Sequence, residues 1–297
     1  MKVLSLFDGI SCGQLALNAL GFKEGSYTYY ASEIEKSAIS VTQHNFPDTV
    51  QLGDINNWRQ WDIDFGSIDL VLAGSPCQGF SFAGKELNFK DDRSKLFFVF
   101  VDILRHIESL NKNVIFLLEN VEMRAEFKNK ITEILGFGYV TIDSSLFSAQ
   151  TRKRLYWSNK PIPQPHECSS QTIQEIVGEN MRVARIVGRR LDSDGKRKDS
   201  DMSIPLMQYI EVSGNHKTNC LTTVAKDNII TTLPVGRYVY HAVSKNDWRY
   251  LTPDECEQLQ TVPVGYTKIL AGNKRFKALG NGWTVSVISY ILKHILK

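Results

Sequence analysis

The chain has 297 residues, 42% of them hydrophobic, with 35 lysines and arginines against 32 acids and a formal net charge of +3. That is enough apolar mass for a large core and one smaller lobe, and no apolar run reaches the roughly 18 residues of a membrane-spanning helix. Five cysteines, an odd number with no Cys-x-x-Cys spacing, exclude an evident disulfide framework or zinc site.

The apolar start of the chain is too short for a signal peptide and runs into a glycine turn, so a cytosolic protein is expected. Residues 3–7 read as a strand, followed by the turn Phe7-Asp8-Gly9-Ile10-Ser11-Cys12-Gly13 and a helix over 15–20. Glycine there lets the backbone approach a ligand at the carboxyl edge of a sheet, although a tight turn without ligand reads the same way. A second strand over 27–32 ends at Glu33, an acid able to take both hydroxyls of a ribose. A helix over 35–44 and an extended piece at 49–52 follow, and Asp54 there can accept from an adenine amino group. Three consecutive strand ends thus offer nucleoside-binding groups. No Gly-x-Gly-x-x-Gly phosphate fingerprint is present, which favours an adenosine ligand without pyrophosphate over NAD.

Residues 68–74 read as a buried strand leading to Ser75-Pro76-Cys77-Gln78. A thiol at a strand's carboxyl end, beside a stiffening proline, is placed for nucleophilic attack; the other reading is a small core residue. At its ordinary pKa only a few per cent is thiolate at neutral pH, so a neighbour or the substrate must assist. An amphipathic helix over 96–107 and a strand over 114–118 precede Glu119-Asn120-Val121. Glu119 is either an acid partner for Cys77 or a cap. A helix over 127–135 and strands over 139–143 and 154–157 complete an alternation that predicts a parallel sheet covered by helices. In Gln150-Thr151-Arg152-Lys153-Arg154 the two arginines fall on one face of a strand, where they can fix a carboxylate, a base carbonyl or a phosphate. A solvated charge run is the alternative.

The texture changes at Asn159. Pro161, Pro163 and Pro165 mark a linker, and the stretch to about residue 247 is polar and weakly periodic, with β-prone pieces at 220–224 and 228–233. It reads as a separate lobe of strands and loops. Within it, residues 182–198 hold seven basic side chains and two acids, a local excess of +5 that fits a solvated loop or a polyanionic partner. Thr252-Pro253-Asp254-Glu255 starts a helix, and a last helix over 285–296 is apolar at 287, 288, 291, 292 and 295, so it should dock on a core.

Together these segments resemble the cytosine-5 DNA methyltransferases. The resemblance rests on Phe7-Asp8-Gly9, Glu33, Asp54, Gly74-Ser75-Pro76-Cys77-Gln78, Glu119-Asn120-Val121, Gln150-x-Arg152-x-Arg154, Arg249-x-Leu251-Thr252-Pro253-x-Glu255 and Gly280-Asn281-Gly282-Trp283, in that order. The first turn and Trp283 are similar to the animal de novo branch, and the compact basic middle to bacterial and phage members. Ser11 and Cys12 stand where many bacterial members have glycines, and Gly282-Trp283 replaces the more usual serine-valine.

The resemblance implies an α/β fold: a Rossmann-like AdoMet-dependent methyltransferase domain with a mostly parallel sheet, and a small β- and loop-rich target-recognition domain. The first would span 1–158, completed by 276–297, and the second 159–275 with its return segment. S-adenosyl-L-methionine is the implied cofactor, with Phe7, Asp8, Gly9 and Ile10 near its methionine part, Glu33 on the ribose and Asp54 on the adenine. Ile34, Ile55, Leu96 and Trp283 would form apolar walls, Asn281 a polar contact, and Ser75 and Pro76 would border the same site. Cys77 would attack C6 of a flipped cytosine, with Glu119 on N3 and the amino group, and Arg154, with Arg152 behind it, on the carbonyl or on Glu119. C5 would then take the methyl group and lose its proton, and Cys77 would be eliminated.

Gln78 and Ser81 would belong to a loop that closes over double-stranded DNA, and Arg189, Arg190, Lys196, Arg197 and Lys198 would touch phosphates. No metal and no membrane are implied. A monomer in a bacterial cytoplasm, from a cell or a phage, is expected, with a cognate restriction endonuclease left open. An RNA-directed relative would carry a second proline and a Cys-Phe-Thr element, which are absent. A non-catalytic relative would have lost Cys77 or Glu119, and both are present.

Overall fold

A computed structural model describes residues 1–23, 25–75, 92–166, 171–222, 227–235, 238–240 and 246–297, with backbone only at 92–94 and 238–240. In chain order the first half forms β1 (Lys2–Leu6), α1 (Cys12–Ala19), β2 (Thr28–Ser32), α2 (Lys36–Asn45), β3 (Val50–Gln51), β4 (Leu70–Gly74), α3 (Asp92–Leu110), β5 (Ile115–Val121), α4 (Ala125–Leu135), β6 (Tyr139–Asp143) and β7 (Lys153–Ser158). These strands make one seven-stranded sheet in the order β3-β2-β1-β4-β5-β7-β6. Pairing is parallel from β3 through β5, and β7 runs antiparallel to both its neighbours.

The central strands are apolar on both faces because helices cover both. Leu70 and Leu72 of β4 and Leu117 of β5 face the side of α1. Val71, Ala73, Phe116 and Leu118 face α3 and α4. Parallel pairing puts the carboxyl ends of β1, β2, β4 and β5 on one edge, and the strand order reverses between β1 and β4, the place where ligands bind in open α/β sheets.

The remaining elements are α5 (Gln174–Val177), β8 (Arg182–Arg189), β9 (Met207–Val212), β10 (Ile229–Thr231), β11 (Tyr238–Tyr240), β12 (Trp248–Tyr250), α6 (Pro253–Leu259), α7 (Asn273–Asn281) and α8 (Val285–Ile295). The five strands form a second, antiparallel sheet, β11-β9-β8-β10-β12. Half of the basic run 182–198, which reads equally as a solvated loop, is its central strand: Val183, Ala184 and Ile186 are buried between the arginines.

The two sheets share apolar packing. Val183, Leu221 and Ile230 belong to the same buried cluster as α1, α8 and Leu72. Docking of α8 follows its pattern, with Val287, Ile288, Ile291 and Leu292 wholly buried. The Arg-x-Leu-Thr-Pro-x-Glu segment is a helix start: Thr252 and Glu255 form a reciprocal capping box, and Arg249 grips both Glu255 oxygens at 2.6 and 2.8 Å. Among the described residues no helix is long and apolar enough to cross a membrane, and no cluster of His, Cys, Asp and Glu is placed to hold a metal.

Candidate active site

The turn after β1 is built on three left-handed residues, Phe7 (φ 60°), Gly9 (φ 60°) and Ser11 (φ 57°). Two of these carry side chains, at a cost of about 1–2 kcal/mol each. Hydrogen bonds from all sides hold the shape: Asp8 N–H to Ser32 O (3.1 Å), Gly9 N–H to Glu33 Oε2 (2.8 Å) and Tyr266 O–H to Ile10 O (2.7 Å). Asp8 accepts from the Ser11 hydroxyl and from Tyr29 O–H (2.9 Å). That last contact needs Gly13, where a Cβ would lie 2.5 Å from Tyr29 Oη.

Burial pushes the Asp8 carboxyl up to about 6, against the lowering effect of its hydroxyl donors. An acid whose folded pKa is raised stabilises the fold below its unfolded pKa, and that stability is lost as pH rises through about 6. Denaturant unfolding of Asp8→Asn against the wild-type protein should therefore show the variant gaining relative stability between pH 4.5 and 7.5. A pH-independent gap would mean that Asp8 does not titrate in this window.

Glu33 orders its own surroundings. Oε1 accepts from the N–H of Ile34 and Glu35, both at 2.8 Å, while Ile34 itself is 71% exposed next to it. Asp54 caps the following short helix through Oδ1, which accepts from Asn56 N (2.9 Å) and Nδ2 (2.8 Å). Among the described residues Oδ2 has no hydrogen-bond partner. The edge therefore presents a glycine turn, an acid, an exposed isoleucine and a half-used carboxylate from three neighbouring strands. Ile10 and Ile55 are buried core residues, Phe7 and Leu96 are half-buried, and Asn281 is exposed at the end of α7.

Glu119 lies inside β5, since pairing with β7 extends that strand to Val121. It sits beside Gly74 of β4 and is 8% exposed. Its Oε1 receives Arg154 Nε at 3.0 Å and its Oε2 receives the indole N–H of Trp283 at 3.1 Å. Burial opposes the charge of Arg154, but Glu119 together with Cys220 and Tyr156 outweighs it and the guanidinium pKa rises. One residue further along the two strands, Ser75 Oγ and Asn120 Nδ2 are buried and have no hydrogen-bond partner among the described residues.

Arg152 occupies a different place from Arg154. It is 5% exposed, and its guanidinium donates to Leu221 O (3.1 Å), Gly280 O (3.2 Å), Gly282 O (2.9 Å) and the Cys220 sulfur (3.2 Å). It thus straps the end of the second sheet's lobe to the turn before α8. Gln150 supports the same seam: its carbonyl accepts from Leu221 N–H (2.7 Å) and its amide donates to Leu259 O (3.1 Å). Gln260, which carried no signal in the sequence, donates to Leu279 O (2.7 Å) and Gly282 O (3.2 Å).

The basic run is more neutral in space than along the chain. Arg189 pairs with Glu211 at 3.0 Å, Arg185 with the same acid at 2.7 Å, and Arg197 with Asp199. Counting those two acids lowers the local excess from +5 to +3. Lys196, Arg197 and Lys198 are exposed, whereas Arg189 and Arg190 are half-buried. Pro76, Cys77, Gln78 and Ser81 lie outside the described residues.

The model of the C-5 cytosine-specific DNA methylase family matches residues 1–297, the whole chain. The chain belongs to this family. Among its relatives, the type II methyltransferase M.HaeII of Haemophilus aegyptius is 31% identical over 98% of this chain and 91% of its own length. M.HhaI of Haemophilus parahaemolyticus is 24% identical over 99% and 94%. In fold, the chain is similar to the Entamoeba histolytica methyltransferase EhMeth (TM-score 0.67, 17% identity, 100% and 98% covered). It is also similar to a Spodoptera frugiperda DNMT2 mutant (TM-score 0.64, 20% identity, 100% and 99% covered). In this member of the family, Asp8, Glu33 and Asp54 lie along the edge on the side of β1, β2 and β3, and Glu119 and Arg154 on the side of β5 and β7.

Proposed function

We propose that this chain transfers a methyl group from S-adenosyl-L-methionine to C5 of a cytosine flipped out of duplex DNA, through an adduct between Cys77 and C6. The observation that carries it is the buried Glu119 carboxylate, held by Arg154 and Trp283 on the strand next to the one that leads to Cys77.

A carboxylate has about four lone-pair positions. Two are taken by Arg154 and Trp283, which leaves one on each oxygen. Such a pair suits the cytosine edge, where the amino group donates and N3 carries a proton once the ring is attacked; the O4 carbonyl of thymine or uracil would face it with like polarity. Bonding of the thiolate to C6 would send an electron pair to N3, which takes a proton from solvent. C5 would bond the methyl group as the methyl's bond to the donor sulfur breaks to leave a neutral thioether. Water taking the C5 proton would restore the C5–C6 double bond, expel the thiolate and let the N3 proton go.

The cofactor supplies an electrophilic methyl group. Glu33 would hold its ribose, Asp54 Oδ2 its adenine amino group, Ile34 the face of the ring, and the turn at Phe7–Ile10 its amino-acid end. Exposure of Ile34 and the unused Asp54 oxygen support that fit. Lys196 and Lys198 are the exposed candidates for phosphate contact, ahead of Arg197 and Arg189, which are ion-paired, and of the half-buried Arg190.

Duplex DNA from a methylation-deficient strain, incubated with protein and labelled AdoMet and then read by bisulfite sequencing, tests the reading. Label at C5 of cytosine is expected with wild type and none with Cys77→Ala, whose cofactor binding should persist. Turnover by Cys77→Ala would remove the nucleophile assignment, and label entering RNA in place of DNA would change the substrate.

A further inference from the structure

We propose that Trp283 is a positioning residue for Glu119: its indole N–H sets the plane of the carboxylate and so couples the base pocket to the turn before α8. The proposal rests on the reading that Glu119 meets the cytosine edge.

The terminal torsion of a glutamate is broad and roughly two-fold, so a single donor on one oxygen leaves the carboxylate free to swivel. Arg154 Nε at 3.0 Å from Oε1 is one donor; Trp283 Nε1 at 3.1 Å from Oε2 is the second, on the other oxygen. Two anchors fix the plane, and the remaining lone pairs then point to one edge. A cofactor wall would need only apolar area, which Val or Phe provides. Here the polar atom of the ring is turned inward, onto the acid.

The indole has little freedom to leave. It lies against Gly74, where a Cβ would come within 3.0 Å of Nε1, 3.2 Å of Cζ2 and 3.3 Å of Cε2. Glycine at the end of β4 is therefore part of the seat of Trp283. Behind the ring, Gly282 O is held by Arg152 and by Gln260, and Thr284 by Gln260 Oε1 at 2.8 Å. Arg152 thus acts on the same acid as Arg154, one turn of chain removed.

The test replaces Trp283 with Phe and, separately, with benzothienylalanine, which keeps the bicyclic shape and lacks the N–H. Both should lower kcat at saturating AdoMet and DNA by about 10- to 100-fold, the range for a lost hydrogen bond to a charged group. The benzothienyl protein should keep its AdoMet affinity within about two-fold, since its packing area is conserved. Gly74→Ala, with Trp283 intact but displaced, should show the same loss of kcat. A normal kcat with a raised AdoMet KM in these variants would make Trp283 a cofactor wall and overturn the proposal.

A second readout needs no turnover. Of the five tryptophan indole resonances in an ¹⁵N–¹H spectrum, the one missing in Trp283→Phe should be the one shifted by Glu119→Ala. No shift there also overturns the proposal. A wild-type protein that labels no cytosine would sink the functional reading instead, and the indole shift would then decide alone whether Trp283 orients Glu119.

Discussion

Glutamine at position 119 should lower methyl transfer to duplex DNA by about three orders of magnitude at saturating AdoMet, within the range for a lost acid–base group. Shape is conserved in this change, and the hydrogen-bond pattern is not. Arg154 and Trp283 both donate, one to each carboxylate oxygen. An amide has one acceptor, so its NH₂ must face one of these donors whichever way it is turned. The variant also loses the charge that, on the proposed reading, faces the cytosine edge. Some stability should go with it, about 1–3 kcal/mol for a buried donor left unpaired. Steady-state rates together with a denaturation midpoint separate the two effects. A loss of rate below ten-fold would mean that Glu119 is not the group that engages the base.

Methionine at position 152 should instead act on the fold, with a loss of about 3–5 kcal/mol. The buried guanidinium serves Leu221 O, Gly280 O and Gly282 O at once, and removing it takes the guanidinium donor from Leu221 O and Gly280 O and leaves Gly282 O with Gln260 alone. Lysine should rescue little, because one ammonium cannot reproduce a planar fork that reaches two chain segments. Burial and the neighbouring Arg154 already lower the pKa of Arg152, as expected for a buried cation held by carbonyl dipoles. A urea midpoint within the equivalent of 0.5 kcal/mol of wild type, on the scale of a neutral surface change, would show that the seam is satisfied by other means.

Much of the catalytic half could be read from one sequence because its signals are local. Apolar runs followed by Gly9, Glu33, Asp54 and Gly74 give strands with functional groups at their carboxyl ends, and the structure places those ends on one edge. The capping box at Thr252 is equally local. Strand β8 was hidden, because Arg182, Arg185 and Arg189 interrupt its apolar residues and draw the eye to charge. The acids that neutralise the run, Asp199 and Glu211, come from the following connection and from β9.

Glu119 read as a residue after its strand because the pairing partner that extends β5, the antiparallel β7, arrives more than thirty residues later. The role of Trp283 was least legible. Its contact with Glu119 spans 164 residues, and no spacing rule reaches that far. Arg152 and Arg154 both reach the Cys220 sulfur, but only packing decides that one takes the acid and the other takes carbonyls.

The seam between the two lobes has a consequence for how such a chain diversifies. What residues 149–152 take from the second lobe is the N–H and carbonyl of Thr218, the N–H and carbonyl of Leu221, a threonine hydroxyl and a cysteine sulfur. Peptide groups dominate that set, and every amino acid brings the same ones. This hydrogen-bonded part of the seam is therefore nearly blind to the sequence beyond it, so side chains there can vary as long as the apolar seat made by Val183, Leu221 and Ile230 is kept.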